Sequence, residues 1–166
     1  MIKKDITLAV EIYASADELN ESDSNLLALA KDATKQAYAP YSNFKVGATA
    51  KLVDGKIVTG TNQENASYPV GICAERVLLS VVASQYNNAG IDTIAISYDN
   101  INGESKHPIS PCGLCRQTLV EYEERTNQPI RLILGGLKGE VYIIEKAHHL
   151  LPLSFTATDM DTANEN

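Results

Sequence analysis

The sequence predicts an α/β fold: a three-layer α/β/α domain around a central mixed five-stranded sheet, with an additional N-terminal edge strand. Three observations predict it. Segments with apolar residues at helical spacing alternate with short β-rich runs, an Asp54-Gly55 pair joins two of those runs, and 166 residues at 44% hydrophobic content suit a single core.

From the N-terminus, residues 5 to 13 alternate, with Ile6, Leu8, Val10 and Ile12 on one side, which predicts a half-buried strand. A helix follows over 25 to 38, where Leu26, Leu29, Ala30, Ala33 and Ala37 recur. Asp23 and Ser24 are its capping candidates and Pro40 its stop. Residues 46 to 53 and 56 to 59 flank Asp54-Gly55 and form a hairpin, since this pair supplies the positive φ of a tight primed turn. A second helix spans 74 to 85 (Val77, Leu78, Val81, Val82), and after the Asn87-Asn88-Ala89-Gly90 break a strand covers 91 to 97. A third helix over 114 to 125 precedes strands at 130 to 134 and 141 to 144. The chain reads as an N-terminal extension (1–21), one main α/β domain (22–156) and a polar, unstructured tail (157–166), with no linker or repeat dividing it.

Net charge is −7, so an average surface repels phosphate, and no basic stripe offers a nucleic-acid footprint. There is neither an apolar leader nor a membrane-length run, so a cytoplasmic address with no membrane partner is expected. The three cysteines, Cys73, Cys112 and Cys115, are an odd set in a chain without an export signal. Metal binding or catalysis is a better reading than a disulfide framework.

Pro111-Cys112-Gly113-Leu114-Cys115 places two thiols three residues apart at a helix start, on one face, and Cys73 heads the preceding helix in Cys73-Ala74-Glu75-Arg76. Helix N-termini favour thiolate, the form zinc requires. Three protein ligands with an open fourth position make the pattern of a catalytic zinc, one per chain, whereas structural zinc closes its shell with a fourth side chain. Three thiolates leave the site at a formal charge of −1, which Arg76 is placed to offset. Glu75, two residues beyond a ligand, is the proton-shuttle candidate. Taken singly, the Cys-x-x-Cys also fits a redox pair or half a structural zinc site, and a lone Cys73 fits a small core residue. His107, five residues before Cys112, could close a four-ligand site; His148 and His149 read as exposed or helix-terminal.

These motifs, together with Tyr41-Ser42-Asn43-Phe44-Lys45-Val46-Gly47-Ala48, Gly60-Thr61-Asn62-Gln63-Glu64-Asn65-Ala66-Ser67-Tyr68 and Leu150-Leu151-Pro152, resemble the cytidine deaminase family, in its small-subunit, three-cysteine zinc class. The likeness runs from about residue 39 to 155. It implies hydrolytic deamination of cytidine and deoxycytidine in pyrimidine salvage, with water adding at C4 and Glu75 protonating N3 and then the departing amine. It further implies that Asn62 and Glu64 bind the ribose hydroxyls, that Phe44 packs on the pyrimidine, and that the Ala74 backbone reads the base. A homotetramer in which Phe155 reaches a neighbour's pocket is implied too. Thr156 stands where the family commonly has glycine. The alternatives are a deaminase of the same fold acting on another aminopyrimidine nucleoside, and a non-catalytic zinc-binding domain.

Overall fold

The computed structural model describes residues 1–160. Gly55 has φ 86°, the left-handed backbone that a tight turn requires. It joins β2 (Phe44–Leu52) and β3 (Ile57–Thr61) in the antiparallel register Ala50↔Val58. Around this hairpin stand β1 (Glu11–Tyr13), α1 (Glu21–Ala33), α2 (Ala74–Gln85), β4 (Ile91–Asn100), α3 (Gly113–Thr126), β5 (Arg131–Gly135) and β6 (Val141–Ile144). The strands form one mixed sheet of order β1-β6-β5-β4-β2-β3, in which β4 and β5 are parallel and the other pairs antiparallel. β3 and β4 each run antiparallel to β2. Hence β3-α2-β4 and β4-α3-β5 are successive crossover units.

Strand alternation sorts the core into two layers. Ala48, Ala50, Leu52, Ile94, Ile96, Leu132 and Leu134 meet Leu78, Leu79 and Val82 of α2 and Leu119 and Tyr122 of α3. On the opposite face Ala95, Ile133, Val141 and Ile143 meet Leu26, Leu27 and Ala30 of α1. This is the predicted three-layer arrangement, with the predicted five strands joined by the N-terminal one as a sixth.

Several details depart from expectation. The N-terminal strand is three residues long instead of nine, because its partner β6 is itself short and pairs only Glu11, Ile12 and Tyr13. Of the predicted inward side, Val10 packs on the core, while Ile6, Leu8 and Ile12 stay exposed. Helix α1 begins at Glu21, capped by Asn20 Oδ1 accepting from Asp23 N at 3.0 Å, and gives way to a 3-10 turn over Thr34–Gln36. Asp23 does not cap. Its carboxylate takes a bidentate pair from Arg131 Nη1 and Nη2 at 2.9 and 2.8 Å, which ties α1 to β5. Leu27 faces the core where Leu29 was expected. In the tail, Ala157–Asp159 form a 3-10 turn with a Thr156–Asp159 capping box, and residues 161–166 lie outside the described residues. No helix among the described residues is long and apolar enough to cross a membrane.

Two glycines set how closely the helices approach the sheet. A Cβ on Gly47 would overlap the Ala30 carbonyl of α1, and one on Gly60 would lie 2.5 Å from Leu78 N and 2.7 Å from Ala74 O of α2. Both obstacles are backbone, so the helix must move. Gly60→Ala is expected to lower stability by about 1–3 kcal/mol, the usual cost of overpacking, and to depress activity by displacing the start of α2. Thermal melting and kinetics on the purified variant check it; wild-type values in both would refute it.

Candidate metal centre

Cys73 and Cys112 are the N-cap residues of α2 and α3, and neither caps through its side chain. The first-turn N–H groups therefore lack a side-chain acceptor and favour negative charge on the sulfurs. Cys115, one turn into α3, is fully buried and completes the set. Cys73 Sγ lies 3.8 Å from Cys112 Sγ, Cys112 Sγ lies 3.5 Å from Cys115 Sγ, and the three sulfurs all fall within 4.8 Å of one another. Tetrahedral zinc with Zn–S bonds of about 2.3 Å needs sulfurs about 3.8 Å apart. The donor set and its spacing thus fit a zinc ion, one per chain. All three cysteines are free.

Electrostatics within the trio is lopsided. The Cys73 thiol is pulled down to about 6, first by its hydrogen bond with Cys115 and then by that with Cys112 and by the Arg76 charge. Cys115 is pushed up by the same contact and by its burial. A divalent cation removes this competition, since all three sulfurs can then ionise together. Glu75, 6% exposed, has its carboxyl raised above the ordinary range by burial, which suits a group that must hold and release a proton. Arg76 is half-buried, and among the described residues its guanidinium makes no hydrogen bond to a cysteine sulfur.

Beside the sulfurs opens a cavity of about 340 Å³ whose wall includes Phe44, Asn62, Glu64, Cys73, Ala74, Glu75 and Cys112. Residues from Phe44 to Cys112 meet here, and the segment after β3 is held extended on both edges. Tyr38 N donates to Asn62 O and Glu64 N to Tyr38 O, while Gln63 and Ile72 exchange both backbone bonds. Asn62 and Glu64 accordingly share one side, as their spacing predicts. Both side chains are also braced. Asn62 Oδ1 accepts from Val46 N at 2.7 Å and its Nδ2 donates to Phe44 O at 2.9 Å; Glu64 Oε2 accepts from Tyr41 N at 2.9 Å and Ser42 N at 3.3 Å. One Asn62 N–H and Glu64 Oε1 remain to serve a ligand.

Of the expected residues, Cys115, Arg76 and Phe155 lie outside the cavity wall; Cys115 is fully buried and Phe155 is 59% exposed. His107 is not among the clustered ligands, and its Nδ1 faces Tyr98 Oη at 3.3 Å. The wall also contains Ile72, Ile109 and Ser110, which the motif reading passed over. Their adjacency to Cys73 and Cys112 was the signal available. Arg116 and Gln117, which directly follow Cys115 in α3, are braces. Arg116 Nε donates to Pro111 O (2.8 Å) and Nη1 to Leu150 O (3.1 Å), and Gln117 Nε2 donates to Phe155 O (2.7 Å).

Comparison with known proteins agrees with this geometry. The family model described as "Cytidine and deoxycytidylate deaminase zinc-binding region" matches residues 20–128. A cytidine deaminase of Halalkalibacterium halodurans is 38% identical over 136 residues, covering 82% of this chain and 96% of that protein. One of Sporosarcina psychrophila is 36% identical over 84% of this chain and 96% of its own. The crystal structure of cytidine deaminase from Burkholderia pseudomallei superposes with a TM-score of 0.70 at 38% identity, covering 82% of this chain and all of that one. With three thiolates at two helix heads, a buried carboxylate beside them and these relatives along most of its length, the chain belongs to the cytidine and deoxycytidylate deaminase family.

Proposed function

We propose that the protein hydrolyses cytidine and deoxycytidine to uridine and deoxyuridine with release of ammonia, in pyrimidine salvage. The observation that carries this reading is a cluster of three zinc-competent sulfurs, two of which line the same cavity as the buried Glu75, Phe44, Asn62 and Glu64. Zinc held by Cys73, Cys112 and Cys115 supplies Lewis acidity, which makes water nucleophilic at neutral pH. Phe44 stacks on the pyrimidine, the Ala74 backbone reads its polar edge, and the free Asn62 N–H and Glu64 Oε1 hold the ribose hydroxyls. Glu75 takes a proton from the attacking water and delivers it to N3. It then carries the second water proton to the exocyclic nitrogen as the C4–N bond breaks and the C4 carbonyl forms. One water is consumed, ammonia leaves, and Glu75 ends as it began. Arg76 balances the charge of the thiolates through space.

Phe155 does not line the cavity of its own chain. In the homotetramer we propose, it closes a neighbour's pocket. The protein is placed in the cytoplasm, acting on free nucleosides, with no nucleic-acid or membrane partner.

The cavity wall carries two carboxylates, Glu64 and Glu75, and among its described residues no lysine or arginine. A 5′-phosphate therefore finds no cation. Ammonia release from cytidine, deoxycytidine, cytosine and cytidine 5′-monophosphate tests the reading. The nucleosides are expected to react, with the monophosphate at least about a hundredfold poorer because opposing like charges costs several kcal/mol. Preference for the monophosphate or the free base would overturn it. Glu64→Gln should raise KM for cytidine about ten- to a hundredfold with a smaller change in kcat, the signature of a lost charged hydrogen bond in binding. An unchanged KM would remove Glu64 from the ribose site.

A further inference from the structure

Phe44 forms one wall of the cavity, and its backbone is fixed by Asn62 Nδ2 at its carbonyl and Ser42 Oγ at its amide. Neither bond sets the plane of its ring. That plane is set by Tyr98. In the β2/β4 register Val46 faces Tyr98 and Phe44 faces Asn100, so Phe44 and Tyr98 are diagonal neighbours on one face of the sheet. Their rings lie stacked, centroids 4.9 Å apart at 15°. Tyr98 is 1% exposed, and its hydroxyl reaches His107 Nδ1 at 3.3 Å, with the imidazole edge-on to the phenol ring at 5.8 Å.

His107 belongs to the segment between β4 and α3 that continues into Ile109, Ser110 and Cys112, all in the cavity wall. One hydroxyl–imidazole contact therefore fastens two parts of the site: the ring against which Phe44 is stacked, and the segment before α3 that delivers a zinc ligand. Neither Tyr98 nor His107 lines the cavity themselves.

We propose that Tyr98 and His107 form a positioning pair for nucleoside binding, holding the Phe44 ring and the segment 107–112 in the geometry that the pyrimidine requires. This rests on the deamination reading above, and it gives His107 a role other than metal ligation. Tyr98→Phe keeps the stack and removes only the hydroxyl; His107→Ala removes the other half of the contact.

Each single variant is expected to raise KM for cytidine about three- to tenfold, with kcat within about twofold of wild type, and to retain wild-type zinc content and melting temperature. The double variant should be no worse than either single, since both delete one shared contact. Nitrogen NMR of the His107 ring supplies a readout independent of turnover: the Nδ1 signal should move in Tyr98→Phe. Unchanged KM in both singles, additive effects in the double, or loss of zinc and melting temperature in step with activity would each overturn the proposal. A wild-type chain that binds zinc yet leaves cytidine intact would instead sink the deamination reading, with the Nδ1 shift still reporting on the contact.

Discussion

Replacing Glu75 with Gln should leave the fold and one zinc per chain in place while cutting kcat for cytidine by at least about 10²- to 10⁴-fold, the range that a positioned acid/base group contributes. The argument is local. Glu75 is in the first turn of α2, two residues beyond Cys73, buried in the cavity and absent from the clustered ligands. An amide of nearly the same shape preserves packing and removes only proton transfer. Loss of cytidine absorbance over time, with metal content measured on the same sample, separates the two roles. Zinc loss in Glu75→Gln would make Glu75 a ligand, and near-wild-type turnover would move the proton shuttle elsewhere.

Cys115→Ala should be as damaging by a different route. Cys115 is the buried member of the trio and the one inside a helix, so its loss leaves two sulfurs at two separate helix starts. Zinc content should fall well below one per chain, deamination should drop to the Glu75→Gln background, and added zinc should no longer raise the melting temperature. That last effect follows from linkage: an ion that binds only the folded chain stabilises it in proportion to how tightly it binds. Stoichiometric zinc with wild-type turnover in Cys115→Ala would refute the three-thiolate site.

Much of this site was legible in the sequence because its logic is local. Cys73 and Glu75 share one helix turn, Cys112 and Cys115 another, and their spacing states the chemistry before any fold is known. The α2 boundaries and the Asp54-Gly55 hairpin were legible for the same reason. What escaped depends on distant partners. Asp23 reads as a cap, yet Arg131 recruits its carboxylate from 108 positions away, and Asn20 caps instead. The alternation over residues 5 to 13 is real, but the four-residue length of β6 decides how much of it can pair. Period alone could not choose between Leu27 and Leu29, two positions apart on α1. Tyr98 lies just past the predicted strand end at 97, whereas β4 runs on to Asn100; that it backs Phe44 is fixed only by the register between β2 and β4. Gln117 reaches Phe155 across 38 positions, a distance at which no spacing rule applies.

The central claim is the metal's coordination sphere, and zinc X-ray absorption on the protein as purified tests it most directly. Three sulfur scatterers at about 2.3 Å and one oxygen or nitrogen scatterer, at one zinc per chain, is the predicted result. Four protein ligands with no exchangeable position, or a folded chain that takes up no zinc, would contradict it.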